Sequence, residues 1–174
     1  MSTQSLGINP SEVVYFPLGD TEIIDRYETI KNELERIPSV SFVGASTNEP
    51  TRRVGNWRNY ELGPKKISMS TIIVDHDYFN VLEIETTEGR AFSKDFVSDK
   101  TEAYILNESA ASFLELDDPI SAELSGLAFT GRYWSQKHAS IVGIVKDFHF
   151  TSLHTKIQPT IFSLSSDITI PLNY

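Results

Sequence analysis

Residues Ile141 to Pro159 read IVGIVKDFHFTSLHTKIQP, and the rest of the chain is arranged around them. Ile141, Val142, Ile144 and Val145 are β-branched and apolar, the pattern of a strand covered on both faces. Gly143 interrupts the run, where a strand commonly bulges or lets another backbone approach. Lys146 and Asp147 end it. Phe148 and Phe150 then alternate with His149, so one face stays apolar while the other turns polar. Ser152, Leu153, His154 and Lys156 read as a turn, and Pro159 blocks a long helix. The expectation is a core strand that leads into a joint between two lobes, Lys146 to Leu153. Phe148 and Phe150 would be buried there, with Asp147 and His149 tying down backbone.

Outward from this stretch the chain keeps a β-rich rhythm. Thr160 to Leu164 is a last apolar strand, and Ala139 starts the strand that contains Ile141. Leu127 to Trp134 forms another, with Gly131 inside it. Ala103 to Leu106 is a strand, Asn107 a helix cap and Glu108 to Leu116 a short helix, closed by the turn Asp117-Asp118-Pro119. Ile67 to Val74 is a strand, and Asp75 caps a helical turn that buries Tyr78, Phe79 and Leu82. Ile84 to Thr87 is a further strand before a turn pivoting on Gly89.

Nearer the N-terminus, Ile23, Ile24, Tyr27, Ile30, Leu34 and Ile37 fall at helical spacing, which predicts an amphipathic helix over Thr21 to Ile37 that ends at Pro38. Glu22, Asp25, Lys31, Glu33 and Glu35 are placed on its other faces. Val13 to Phe16 and Val40 to Ser46 read as flanking strands, giving a βαβ-like unit. Between this unit and Ile67 lies a polar loop, where Arg52, Arg53 and Arg58 bracket Trp57 and Tyr60. Such a basic and aromatic loop can bind a partner by cation–π contact, or can simply cover the surface.

Composition narrows the function classes. The chain has 174 residues, 40% of them hydrophobic, enough for one domain or two small lobes. A formal net charge of -9 argues against a nucleic-acid partner and against an anionic membrane surface as ligand. With no cysteine there is no disulfide, thiolate metal site or thiol catalysis. No apolar run approaches the roughly 18 residues of a membrane span, and Met1 to Ser5 is too short and polar for a signal peptide. Asp147, His149 and His154 are the best candidate metal ligands, with His138 remote from them. Their spacing is permissive and the set incomplete, so no metal or other cofactor is expected. Asp75, His76 and Asp77 are adjacent and not expected to share a site. No phosphate-binding loop, dinucleotide fingerprint or nucleophile elbow occurs, so the chain is not expected to hydrolyse ATP or to be an enzyme.

The string VKDFHFTSLHTKIQP resembles the signature segment of the MacB-like periplasmic core domain, found in FtsX-like permeases of ABC transporters. Three more patches resemble that family in the same order: VDHDYF at 74–79 with EGRAF at 88–92, ILNESAA at 105–111, and DPIS at 118–121, where Ser121 stands in place of the family's usual glycine. The resemblance implies an α+β, two-lobed extracytoplasmic domain with mixed sheets, a few short helices and one long amphipathic helix near the N-terminus. It implies lobes of about 6–60 plus 155–174, βαβ-like, and 65–150, mostly β, and the loss of a C-terminal strand-helix-strand. The expected place is the periplasmic side of the inner membrane, as a piece of a membrane protein. The expected function is to couple transmembrane-helix movement to export or partner engagement. Implied partners are the transmembrane helices of its own permease, the cognate ATPase indirectly, a permease dimer and a periplasmic or outer-membrane protein. A small-ligand sensor would instead need a deep pocket, and a hydrolase a titratable cluster in a cleft.

Overall fold

The computed structural model describes residues 12–18, 23, 25–48, 57–130, 133–149 and 156–164, without the side chains of 127–130 and 133–136. The described helices are short: α1 (Tyr27–Glu35), α2 (Tyr78–Val81), α3 (Asp99–Glu102) and α4 (Glu108–Leu114). The strands are β1 (Trp57–Leu62), β2 (Lys65–Val74), β3 (Thr86–Gly89), β4 (Ala103–Asn107), β5 (Glu123–Thr130), β6 (Tyr133–Val145) and β7 (Thr160–Leu164). They form one mixed sheet in the order β3-β6-β4-β7-β2-β1-β5, with β2–β7 and β4–β6 parallel. β5 also pairs with β6, so the strand order returns on itself through β6-β4-β7-β2-β1-β5.

Both faces of the sheet are apolar, as the continuous hydrophobic runs require. Ile72 and Val74 of β2, Ile105 of β4 and Phe162 and Leu164 of β7 pack on one face with Tyr78, Phe79, Phe92 and Phe148. Tyr104 and Leu106 of β4 and Ile161 of β7 point to the other, with Tyr60, Met69, Leu124, Ile141 and the Ala110–Leu114 stripe of α4. The strand period of two therefore sorts each strand into two cores.

The described start of the organising stretch, Ile141 to Val145, is the end of β6. β6 is long enough to serve three neighbours: Tyr133 to Ser140 pair with β5, Ser140 to Val145 with β4, and Gly143 to Val145 with β3. Its register against β4 slips at Val142, because Tyr104 faces Ile141 but Ile105 faces Gly143. The extra residue is a β-bulge, placed between the end of the β5 pairing at Ser140 and the start of the β3 pairing at Gly143. Gly143 is needed there, since a Cβ would run into the Arg90 carbonyl oxygen. Ser121 takes up φ 71°, the left-handed region that favours glycine.

Several expectations are corrected. A long helix is not shown: among the described residues the continuous helix covers Tyr27–Glu35, and Ile23 and Ile37 are 41% and 44% exposed. Its buried residues are Tyr27 and Lys31, with Ile30 and Leu34 only half-buried. Val13 to Phe16 forms no strand; Val13 packs on the first core while Val14 is 87% exposed. Val40 to Ser46 supplies one bridge, Ser46 to Val74, where β1 no longer covers that edge of β2. The βαβ-like unit is therefore absent, because β2 is paired by β1 on one edge and β7 on the other. Leu127 to Trp134 is not one strand but spans a hairpin, with Thr130 opposite Tyr133, and the strand expected from Ala139 starts at Tyr133. β7, grouped by sequence with the N-terminal segment, lies between β2 and β4.

Candidate functional site

The exit of β6 is fastened to the first turn of α4. The Ser109 backbone N–H donates to Asp147 Oδ1 at 3.0 Å and the Ser109 hydroxyl to Oδ2 at 2.5 Å. The Asp147 N–H in turn donates to Glu108 Oε2 at 3.0 Å. Asn107 caps α4 by accepting from Ala110 N–H. The same oxygen accepts from Thr160 N–H at 2.9 Å, and Asn107 Nδ2 donates to the Gln158 carbonyl at 3.0 Å. One short segment, Asn107-Glu108-Ser109, thus holds both the end of β6 and the start of β7. Charge-assisted bonds to a carboxylate make such a joint stiff.

Phe148 locks the joint from the apolar side. It is 2% exposed and stacks on Phe162 of β7 with ring centroids 6.2 Å apart. Lys146 is exposed, forms an ion pair with Glu85 at 3.5 Å, and donates its N–H to the Glu85 carbonyl. His149 is half-buried. Phe150, Ser152, Leu153 and His154 lie outside the described residues, as do Arg52 and Arg53. Of the basic and aromatic loop, Trp57 is 46% exposed and Arg58 half-buried with a bond to the Trp57 carbonyl. Tyr60 belongs to no surface loop. It is a core residue of β1, bonded to Thr71 Oγ1 at 2.7 Å and edge-on to Tyr104. Strand pairing decides this: the segment from Trp57 is half of a β1–β2 hairpin turning at Gly63.

Two buried lysines and an ion pair escaped the sequence reading. Lys31 of α1 is 3% exposed and donates to Asp75 Oδ2 at 2.6 Å and Asp77 Oδ2 at 2.5 Å. Tyr27 donates to the same Asp75 oxygen at 2.7 Å, while Ala45 and Asp77 N–H groups donate to Oδ1. Asp75 and Asp77 do converge, because the chain leaves β2 in a turn instead of continuing a strand or helix. Burial pushes the Lys31 ammonium down, but its bonds to Asp75 and Asp77 and their charges more than offset this, leaving its pKa above the ordinary value. Lys137 on β6 is also 3% exposed and has softer partners. It donates to the Ala103 carbonyl at 2.8 Å and Ser163 Oγ at 3.2 Å, and lies 4.6 Å from the Tyr104 ring centroid. Burial lowers its pKa to about 8, against the opposing charge of Asp99. Arg90 grips buried Asp99 with two bonds of 2.7 and 2.6 Å and covers Phe96 at 4.0 Å. One signal for Lys31 was present: it follows Tyr27 by four residues, on the stripe that should face the sheet.

Among the described residues no helix is long and apolar enough to cross a membrane. No protein-family model matches the sequence, and no curated protein matches it either. Solved structures do. The chain superposes on the periplasmic region of MacB from Actinobacillus actinomycetemcomitans with a TM-score of 0.55, at 16% identity over 81% of this chain and 56% of that one. The fold is that of a MacB-like periplasmic domain. A domain of a permease protein from Porphyromonas gingivalis gives a TM-score of 0.51 at 17% identity, covering 75% of this chain and 52% of that one. The extracellular domain of the ABC-type transporter YknZ from Gram-positive bacteria also gives 0.51, at 13% identity over 79% and 61%. The chain spans little more than half the length of these MacB-like neighbours.

Proposed function

We propose that the chain is the extracytoplasmic domain of an ABC transporter permease, and that it passes movement of the membrane helices to export or partner engagement outside the membrane. The observation that carries this reading is the fold shared over three quarters or more of the chain with the periplasmic region of MacB, a domain of a permease protein and the extracellular domain of an ABC-type transporter. The internal mechanics agree with it. The Asn107-Glu108-Ser109 joint ties β6, β7 and α4 into one unit. A unit that moves as a body can transmit displacement between its ends, where a loose one would dissipate it. Its partners would be the transmembrane helices of the same permease, a second permease copy, the ATPase through those helices, and a protein outside the membrane.

The test is a complete permease carrying Phe148→Leu, reconstituted with its ATPase in liposomes. The ring that stacks on Phe162 is lost while bulk is kept, so output per ATP should fall by about threefold or more with hydrolysis still measurable. Unchanged output per ATP sinks the lever reading.

A further inference from the structure

Helix α1 is attached differently from α2 and α4, and like α3 it is held through a buried ion pair. Among the described residues neither apolar core cluster contains one from α1, whereas α2 supplies Tyr78 and Phe79 to the first and α4 supplies Ala110 and Leu114 to the second. Its two buried side chains, Tyr27 and Lys31, both end on Asp75, and Lys31 also reaches Asp77. Of the other described apolar positions, Ile30 and Leu34 are half-buried and Ile23 and Ile37 are exposed. The docking is therefore polar. We propose that α1 is a latch, held shut by Tyr27 and Lys31 on the Asp75–Asp77 pair and able to leave as a unit while the sheet stays closed.

The receiving side is built to survive that release. Asp75 keeps two donors that do not belong to α1, the N–H groups of Ala45 and Asp77. Asp77 keeps Asn80 Nδ2 at 3.3 Å and the Lys94 ammonium at 3.7 Å. Once α1 leaves, water reaches the two carboxylates, so the desolvation that made their burial costly is relieved. Neither described core cluster loses a residue in the process, although the Tyr27 ring is uncovered. A nine-residue helix is also marginal by itself, so a released α1 would unfold and lose its amide protection. The chain stays tethered beyond the helix by the Ser46–Val74 bridge and by Thr47 N–H to the Ile73 carbonyl. This inference stands on the attachment of α1 and does not depend on the transporter reading.

Native-state hydrogen exchange on the full chain tests it. In Lys31→Met, amides of residues 31–35 should exchange about tenfold faster or more, with those of β2, β4 and β7 unchanged. Asp77→Asn, which leaves the Asp75 bonds in place, should give a smaller change in the same amides. The latch is overturned if the amides of 31–35 keep their protection in both variants, or if the sheet amides accelerate together with them. Should Lys31→Met fail to fold, the wild type decides. Its 31–35 amides must exchange well ahead of those of β4 and β7, and equal protection ends the proposal.

Discussion

Lys31 and Lys137 are buried to the same extent, 3% exposed each, yet their pKa values move in opposite directions. Lys31 meets two carboxylates at 2.6 and 2.5 Å, and its ammonium is held above its ordinary pKa. Lys137 meets a carbonyl, a hydroxyl and a ring face, and its pKa falls to about 8. Desolvation is common to both, so the partners decide the outcome. The first lysine fastens a peripheral helix, and the second leaves a charge beside Tyr104 in the second core. A buried lysine is thus a stabilising device at one place and a standing cost at the other.

Exchanging each lysine for Met should break the symmetry outright. Lys31→Met strands Asp75 and Asp77 and should lower the free energy of unfolding by about 2–3 kcal/mol, read by urea denaturation. The loss is capped because α1 can let go and return the carboxylates to water. The acid limb should change as well. Burial raises the Asp77 carboxyl, but the Lys31 bond and charge hold it below the usual carboxylate range. Such a group adds stability above its unfolded pKa of about 3.9, and that stability is lost as pH falls through the lower folded value. Below about pH 4 the wild type should lose stability more steeply than Lys31→Met. Parallel acid limbs would show that the Asp77 carboxyl does not depend on this lysine.

Lys137→Met should act in the other direction. A pKa of about 8 against an unfolded value of about 10.4 corresponds to a cost near 3 kcal/mol while the group is charged. Losing two hydrogen bonds of about 1 kcal/mol each offsets part of the gain, so the variant should be stabler by about 1–2 kcal/mol at pH 7. The folded pKa is the lower one here, so from pH 8 upward the unfolded chain binds more protons and wild-type stability rises. Met should flatten that rise up to about pH 9.5, before tyrosines ionise in the unfolded chain. A destabilised variant would mean that the ammonium holds β4 and β7 together.

Tyr27→Phe sharpens the first half of the contrast. It removes one of four donors from Asp75 and leaves Lys31 in place, so the cost should be about 1 kcal/mol, less than for Lys31→Met. Equal costs for the two variants would place the latch in the tyrosine hydroxyl and not in the ion pair.

The sequence was legible where one period dominated. Thr160 to Leu164 is β7 at both ends, Asn107 caps α4 as its side chain and position suggest, and Gly143 marks a bulge. It was not legible where tertiary pairing overrode local pattern. Val40 to Ser46 has strand composition, but only the far end of one edge of β2 was left for it. Tyr60 sits among polar and breaker residues and becomes core only because β1 pairs with both β2 and β5. The apolar count of the N-terminal helix outweighed the single lysine on its inner stripe, and the lysine proved to be the anchor. For the joint, Asp147 and Phe148 stood out by composition, while Ser109 and Asn107 became visible only when β6 and β7 were seen to end beside α4.

Ser121 supplies the smallest effect and the cleanest control for the second half of the contrast. Its N–H donates to the Ile141 carbonyl at 2.8 Å, so it sets where the chain joins β6, the strand that carries Lys137. At φ 71° a residue with a Cβ is strained by about 1 kcal/mol, and glycine is free of that strain. Glycine also gains freedom in the unfolded chain, which cancels part of the benefit. Ser121→Gly should therefore raise stability by about 0.5 kcal/mol. Because no charge is touched, the gain should be the same at pH 7 and at pH 9.5. Lys137→Met, by contrast, should lose much of its advantage over the wild type across that interval. If Ser121→Gly also flattened the alkaline rise, the rise would belong to the fit of β6 against its neighbours. The lowered pKa of Lys137 would then no longer be needed to explain it.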